Sequence, residues 1–92
     1  MAYAVVTITI MPESPDSDLV ALEKEAHDLI KAFNDNRETK IEIKPIAFGL
    51  KSINITFMVD EKKGSPDQVS EKIAKLNNVS SAEVTDVRRA LG

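Results

Sequence analysis

The chain has 92 residues, no cysteine, one histidine and a formal net charge of −3 at pH 7. A chain of this length builds one hydrophobic core and predicts a single domain over residues 1–92, while the lack of cysteine excludes a disulfide framework and a thiolate metal site. The acidic balance disfavours direct contact with nucleic acid. Because no signal-peptide pattern and no apolar run of about 20 residues occurs, we expect a cytoplasmic protein without a membrane partner.

The first third of the chain predicts a strand followed by a helix. Residues 3–11 are rich in β-branched side chains and alternate between an apolar face and a face of valine and threonine, which is typical of a strand with one buried side. The prolines and acidic residues that follow suit a helix N-terminus, so we expect a helix to begin near Asp16 and to end at residues 34–36. Its apolar stripe consists of Leu19, Leu22, Ala26, Leu29, Ile30 and Phe33.

The next segment predicts a hairpin followed by a second helix. Residues 40–44 and residues 52–59 both alternate polar and apolar side chains, which indicates two half-buried strands. The run Ser65-Pro66-Asp67-Gln68 supplies an N-cap serine, a proline at the first helical position and a glutamine at the capping-box position. The stripe of this second helix consists of Val69, Ile73 and Leu76.

A final strand beginning near Val79 completes the order β-α-β-β-α-β. This order fits the α+β class and predicts a ferredoxin-like open sandwich, in which two helices cover one face of a four-stranded antiparallel sheet. The open face of that sheet presents threonine, asparagine and aliphatic side chains, so it lacks the aromatic platform on which RNA bases stack.

Few side chains in this sequence suit covalent catalysis. His27 lies at the edge of the first helix's stripe, where we interpret it as a surface residue and not as a base. Asp16 and Asp18 are local enough to bind a cation weakly, but helix capping explains them better. We therefore predict a protein that is not an enzyme and that uses no cofactor and no metal.

The turn between the two hairpin strands is unusually apolar. Its sequence is Pro45-Ile46-Ala47-Phe48-Gly49-Leu50, whereas connections between strands usually carry polar residues. A proline of restricted φ and a permissive glycine bracket the apolar residues. Two interpretations stay open: Phe48 is exposed and anchors a partner, or Phe48 is buried beneath the hairpin as part of the core.

Three motifs, at these separations, resemble the archaeal translation elongation factor 1-beta family over nearly the whole chain. They are Met11-Pro12-Glu13-Ser14-Pro15-Asp16, Pro45-Ile46-Ala47-Phe48-Gly49-Leu50 and Glu83-Val84-Thr85-Asp86-Val87-Arg88-Arg89. The resemblance implies a guanine-nucleotide exchange factor that promotes GDP-for-GTP exchange on elongation factor 1-alpha, the GTPase that carries aminoacyl-tRNA to the ribosome. It also implies a ferredoxin-like fold and a role exerted by binding, without covalent chemistry.

The resemblance further implies which residues contact the GTPase. Phe48 matches a phenylalanine that the eukaryotic relatives of this family insert into their GTPase. Those relatives also use a lysine near the C-terminus to disturb the magnesium and phosphate site, whereas this chain has no lysine after Lys75, so Arg88 or Arg89 is the candidate replacement. The predicted partner-binding residues are Pro45, Ile46, Phe48, Gly49, Asp86, Arg88 and Arg89.

The fold class leaves a second function open. Many ferredoxin-like domains are regulatory modules that dimerise and bind a small metabolite, and fold alone does not decide function. Such modules usually accompany a domain that they regulate, and this chain offers no glycine-rich ligand loop. We therefore favour the exchange factor and expect a monomer when the protein is free.

Overall fold

The computed structural model describes residues 3–90, which form one antiparallel sheet and two helices; residues 1, 2, 91 and 92 of the predicted domain lie outside the described part. The predicted order and the ferredoxin-like α+β fold are confirmed. No helix between residues 3 and 90 is long and apolar enough to cross a membrane. The elements are β1 (Tyr3–Pro12), α1 (Leu19–Phe33), β2 (Thr39–Pro45), β3 (Lys51–Asp60), α2 (Asp67–Ala74) and β4 (Val79–Ala90).

The sheet has the strand order β2-β3-β1-β4, so β1 and β3 lie at its centre. Their antiparallel register places Ile8 opposite Ile55. On the other face Thr7 lies opposite Thr56, and the two hydroxyl oxygens are 3.0 Å apart. Because successive side chains point to opposite faces of a sheet, one face is apolar and the other polar, as the alternation predicts.

The core lies between the apolar face and the two helices. Leu22, Ala26 and Ile30 of α1 and Val69 and Ile73 of α2 are buried in one cluster with the apolar face of the sheet. The first helix lies over β3, whereas α2 lies mainly over the edge strand β4. Each fully buried aliphatic side chain stabilises the fold by about 1.5–3 kcal/mol relative to its exposed state. The predicted stripes are therefore confirmed, with their outer members only partly buried: Leu19, Leu29, Phe33 and Leu76.

The first helix begins later than predicted. The sequence favoured a start near Asp16, but α1 begins at Leu19 and Asp18 is its N-cap. The carboxylate of Asp18 accepts a hydrogen bond from the backbone N–H of Ala21 at 3.1 Å, which satisfies one of the free donors of the first turn. The Asp16 N–H instead donates to the hydroxyl of Ser14 at 2.9 Å. Because several successive residues can cap a helix, the sequence alone did not decide at which of them α1 begins.

The second helix begins one residue later than predicted, at Asp67 with Pro66 at the N-cap position, but the predicted serine still contacts its first turn. The hydroxyl of Ser65 accepts a hydrogen bond from the backbone N–H of Asp67 at 3.2 Å, and Pro66 has helical dihedral angles. The reciprocal half of the capping box does not form: no hydrogen bond in the described part of the chain joins the side chain of Gln68 to the Ser65 N–H. The Gln68 amide nitrogen lies against Gly64 instead.

The last strand extends through the predicted basic segment and contains a bulge. Asp86 pairs with Thr7 and Val84 pairs with Ile8, so Thr85 is an extra residue in β4. The hydroxyl of Thr85 donates to the backbone oxygen of Thr7 at 3.4 Å, which ties the bulge to the neighbouring strand. The register of every residue after the bulge, including the arginines, follows from this insertion.

The strands define two ends of the molecule. At the hairpin end, Pro12 closes β1 and the turn between β2 and β3 lies nearby. At the C-terminal end, Tyr3 pairs with both Asp60 and Ala90. These two ends carry the two groups of predicted partner-binding residues.

Candidate partner-binding site

The side chain of Phe48 projects into solvent from the hairpin end. It is 92% exposed, and it lies in a short 3-10 turn, Ala47–Gly49, that joins β2 to β3. Ile46, beside it, is also an exposed large hydrophobic residue. The interpretation of Phe48 as core is therefore excluded, and the prediction that its ring faces outward is confirmed.

The backbone of Phe48 adopts a left-handed conformation, with φ 62° and ψ 30°. Residues other than glycine rarely occupy this region, because the β-carbon approaches the following carbonyl oxygen at a cost of roughly 1–2 kcal/mol. Gly49 follows with φ 75°, which glycine adopts without that penalty. Strained residues of this kind persist where the surrounding structure holds them, and they cluster at functional sites.

Contacts on both sides of Phe48 hold the turn in place. The N–H of Ile46 donates to the carbonyl of Leu50 at 2.8 Å, and the N–H of Leu50 donates to the carbonyl of Ala47 at 3.2 Å. A β-carbon built on Gly49 would lie 3.8 Å from that of Pro15, so the segment between β1 and α1 stands against the turn. The ring of Phe48 is thus presented by a closed and supported loop.

The predicted residues of the C-terminal segment lie on β4, near its end. Arg88 and Asp86 form an ion pair, with 2.9 Å between Nε of the arginine and Oδ2 of the aspartate. Arg89 pairs with Glu61, with 3.1 Å between its Nε and the carboxylate oxygen Oε2. All four residues reach solvent to some extent, so both pairs are surface ion pairs of modest strength.

The two arginines face opposite sides of the sheet. Arg88 lies opposite Val5, whose side chain is on the open face, whereas Arg89 lies opposite Ala4, which packs against the core. Adjacent strand residues alternate between faces, so these two guanidinium groups diverge. A single phosphate or magnesium site therefore cannot receive both arginines at once in this conformation.

The structure does not bring the two groups of predicted residues together. Pro45, Ile46, Phe48 and Gly49 lie at the hairpin end, whereas Arg88 pairs with Val5 near the C-terminal end. Along β1 the positions level with these groups are seven residues apart, which corresponds to about 23 Å. Any one partner that contacts both groups must be a macromolecule.

The remaining polar groups offer little for catalysis. Within residues 3–90 no cluster of three or more histidine, cysteine, aspartate or glutamate residues could hold a metal ion. His27 lies at the surface edge of α1, where its Nε2 is 2.8 Å from the hydroxyl oxygen of Thr39 on β2. That contact connects helix and strand, so His27 has a structural explanation.

Sequence reasoning missed Glu61 as a residue of the C-terminal end. It follows β3 and meets Arg89 from a position 28 residues earlier in the chain. No local pattern could have revealed the pair, because it depends on the antiparallel arrangement of β3, β1 and β4. Glu61 is the carboxylate partner of the Arg89 guanidinium, so it belongs to any account of that arginine.

Comparisons with known proteins identify the family of the chain. The family described as the EF-1 guanine nucleotide exchange domain matches residues 5–90. The chain is 42% identical over 91 residues to the elongation factor 1-beta of Methanobrevibacter smithii, covering 99% of this chain and 100% of that protein. The same identity and coverage apply to the elongation factor 1-beta of Methanothermobacter thermautotrophicus. The predicted archaeal resemblance is thereby confirmed.

A solved structure shares the fold but not the sequence. The de novo designed protein Foldit4 superposes with a TM-score of 0.64 at 20% identity, and the match covers 98% of each chain. This likeness shows the fold alone, since a designed chain can adopt the same arrangement of elements without a shared function. The family match and the end-to-end archaeal relatives decide the assignment: the chain belongs to the EF-1 guanine nucleotide exchange domain family.

Proposed function

We propose that the chain acts in the cytoplasm as an exchange factor that replaces GDP by GTP on translation elongation factor 1-alpha during protein synthesis. Membership of the exchange-domain family supports the reaction, and relatives named elongation factor 1-beta support this GTPase as the partner. The structural observation that carries the proposal is the outward-facing ring of Phe48 in a strained but supported turn.

Phe48 acts in this proposal as a wedge that enters an apolar pocket of the GTPase. A buried aromatic side chain contributes 150–250 Å² of contact, and such residues dominate interface energetics. Because the turn is closed by backbone hydrogen bonds, little conformational entropy is lost when the ring is captured. Pro45, Ile46 and Gly49 maintain the turn and complete its apolar surface.

The basic end supplies the second contact. Arg88 or Arg89 approaches the magnesium and phosphate region of the GTPase, while Phe48 contacts the GTPase from the turn beyond the other end of the sheet, at least about 23 Å away. The arginine must exchange its carboxylate partner, Asp86 or Glu61, for a phosphate oxygen. Surface ion pairs are worth about 1 kcal/mol or less, so this exchange of partners costs little.

Exchange requires selective affinity and no covalent step. The factor must bind the nucleotide-free GTPase, and the transition state for release, more tightly than the loaded GTPase. Accelerating release about a thousandfold requires lowering its barrier by roughly 4 kcal/mol. A buried aromatic wedge and one well-placed cation can together lower the barrier by that amount. We also propose that the protein is a monomer when free.

Stopped-flow release of a fluorescent guanine nucleotide from the purified GTPase tests the proposal. Wild-type protein should accelerate release, and Phe48→Ala should reduce the acceleration by well over tenfold. Lys75→Ala, at an exposed position after α2, is the control and should behave as wild type. Unchanged exchange by a folded Phe48→Ala protein would reject the wedge.

The alternative function, a dimeric metabolite-binding module, makes a different prediction in the same system. Size-exclusion chromatography should give a one-to-one complex with the nucleotide-free GTPase, and added GDP should weaken that complex. A homodimer that persists and ignores the GTPase would favour regulation over exchange.

A further inference from the structure

Several large aliphatic side chains are exposed near the hairpin end of the molecule. The large hydrophobic residues that are exposed in the described part of the chain include Val20 at 77%, Ile43 at 43% and Ile46 at 38%, besides Phe48. Ile43 and Ile46 belong to β2 and to the turn that follows it, and β2 is an edge strand. Val20 occupies the first turn of α1.

The packing of α1 beside β2 brings Val20 to the same edge. His27 of α1 meets Thr39 of β2 at 2.8 Å, which fixes the relative position of helix and strand. From there the helix runs back seven residues to Val20, about 10 Å, while the strand runs forward four residues to Ile43, about 13 Å. Val20 therefore lies beside β2, between the levels of Ile41 and Ile43.

A shallow cleft of about 250 Å³ joins the helix to the strand along this edge, and Val20 and Ile41 both line it. We refer to Val20 and Ile43, which both lie on the helix side of the sheet edge, as the edge stripe. Ile46 follows three residues after Ile43 in extended backbone, so it faces the other side of the sheet and is not part of the stripe. The edge stripe lies towards the hairpin end, where Pro15, in the segment that leads into α1, stands against Gly49 of the Phe48 turn.

We propose that the edge stripe is part of the docking surface for the GTPase, so that the partner covers Val20 and Ile43 when it receives Phe48. This inference rests on the proposed function and adds a surface that the three sequence motifs do not contain. The part of the GTPase that covers the edge stripe is the apolar rim of the pocket that receives the Phe48 ring. The exposed aliphatic side chains lose their contact with water in the complex, and this burial provides affinity.

The size of the edge stripe indicates that it is one part of a larger interface. From their exposed fractions, the edge stripe and Phe48 together expose on the order of 400 Å², comparable with the 300–600 Å² of the largest apolar patch on a typical monomer. A stable protein interface needs about 800 Å² from each partner. The edge stripe is thus too small to form a stable homodimer by itself. Its size is consistent with a surface that surrounds Phe48 in a larger interface.

The edge strand also resists pairing with a second copy. Pro45 lacks a backbone N–H and ends β2, and charged side chains alternate along the strand, among them Lys40, Glu42 and Lys44. Proline and lysine on an edge strand are features that oppose edge-to-edge association. The apolar side chains of this edge are therefore available to a different protein.

Substitutions at Val20 test the stripe separately from the wedge. Val20→Ala removes apolar area at an exposed helical position and raises helix propensity, so any loss of binding cannot arise from unfolding. Val20→Glu places a carboxylate in the same interface, and Ile43→Thr shortens the second member while keeping a β-branched side chain. The matched control is Ala32→Glu, which adds the same charge at an exposed position of the same helix, about 18 Å away.

The measurement is titration calorimetry against the nucleotide-free GTPase, with thermal melting of each variant as a check of folding. We expect the Kd to rise about threefold for Val20→Ala, at least tenfold for Val20→Glu and about threefold for Ile43→Thr, while Ala32→Glu stays within twofold of wild type.

The outcomes separate this inference from the proposed function. If Phe48→Ala abolishes exchange but both Val20 variants bind as wild type, the stripe is rejected while the exchange function stands. If wild-type protein does not bind the GTPase at all, the proposed function fails first. If Val20→Glu instead dissociates a homodimer seen by sedimentation and leaves the GTPase affinity unchanged, the stripe is a self-association surface and the inference is overturned.

Discussion

The hairpin end and the C-terminal end of the molecule present their candidate residues in different ways. At the hairpin end, Phe48 is unpaired, exposed and held in a left-handed conformation by the turn around it. At the C-terminal end, Arg88 and Arg89 lie in regular strand and already pair with carboxylates. The first end is preformed for binding, whereas the second must exchange one ionic partner for another. From this difference we expect that the affinity for the proposed GTPase partner comes mainly from the hairpin end.

The largest expected effect is that of removing the wedge. Phe48→Ala should lower stimulated nucleotide release by well over tenfold, because the ring supplies most of the apolar contact at its end. The fold should remain intact, since this side chain makes no contribution to the core. Stopped-flow release together with circular dichroism measures both quantities. A variant with full activity would show that the hairpin end is not the dominant contact.

The second effect distinguishes the two arginines. We expect Arg88→Ala to slow exchange about fivefold and Arg89→Ala to change it less than twofold. Both arginines are similarly exposed and both can leave their carboxylates, but Arg88 lies on the open face of the sheet, which no helix covers, whereas Arg89 lies on the side that the helices cover. The reverse order of effects, measured in the same release assay at constant ionic strength, would assign the cation to the helix side of the sheet.

The third effect concerns the support of the turn. Gly49→Ala should destabilise the protein by about 1 kcal/mol, because φ 75° is unfavourable for a residue with a β-carbon. It should also reduce exchange, since relief of the strain displaces Phe48. Urea unfolding gives the change in the free energy of unfolding. Lys51→Ala, an exposed residue directly after the turn, is the control and should leave both quantities unchanged.

The smallest expected effect separates, at position 48, the cost of the left-handed backbone from the loss of the ring. Phe48→Gly should be about 0.5–1 kcal/mol more stable than Phe48→Ala, because glycine adopts the left-handed conformation without the steric penalty. Both variants lack the ring, so their exchange activities should be equal. Equal stabilities in urea unfolding would show that the backbone leaves the left-handed conformation when the ring is absent.

Much of the fold could be predicted because local patterns and tertiary packing agree. The alternation around Ile8 and Ile55 determined which faces of the strands are buried, and the helix spacing of Leu22, Ala26 and Ile30 determined the buried stripe. The boundary of α1 was wrong because two aspartates compete to cap it, and only the final geometry selects Asp18. The exposure of Phe48 was open from sequence because an aromatic residue between two strands suits either a core or an interface.

The sequence by itself determined the elements, their order, the apolar faces and the three motifs of the family, because these depend on residue type and short-range spacing. Only the tertiary structure decided that Phe48 and Arg88 lie at opposite ends, that Arg88 and Arg89 face opposite sides of the sheet, and that Val20 joins the edge of β2. Those relations depend on strand pairing, on the bulge at Thr85 and on the packing of helix against sheet. Contacts between residues distant in the chain establish all three, and no local pattern records them.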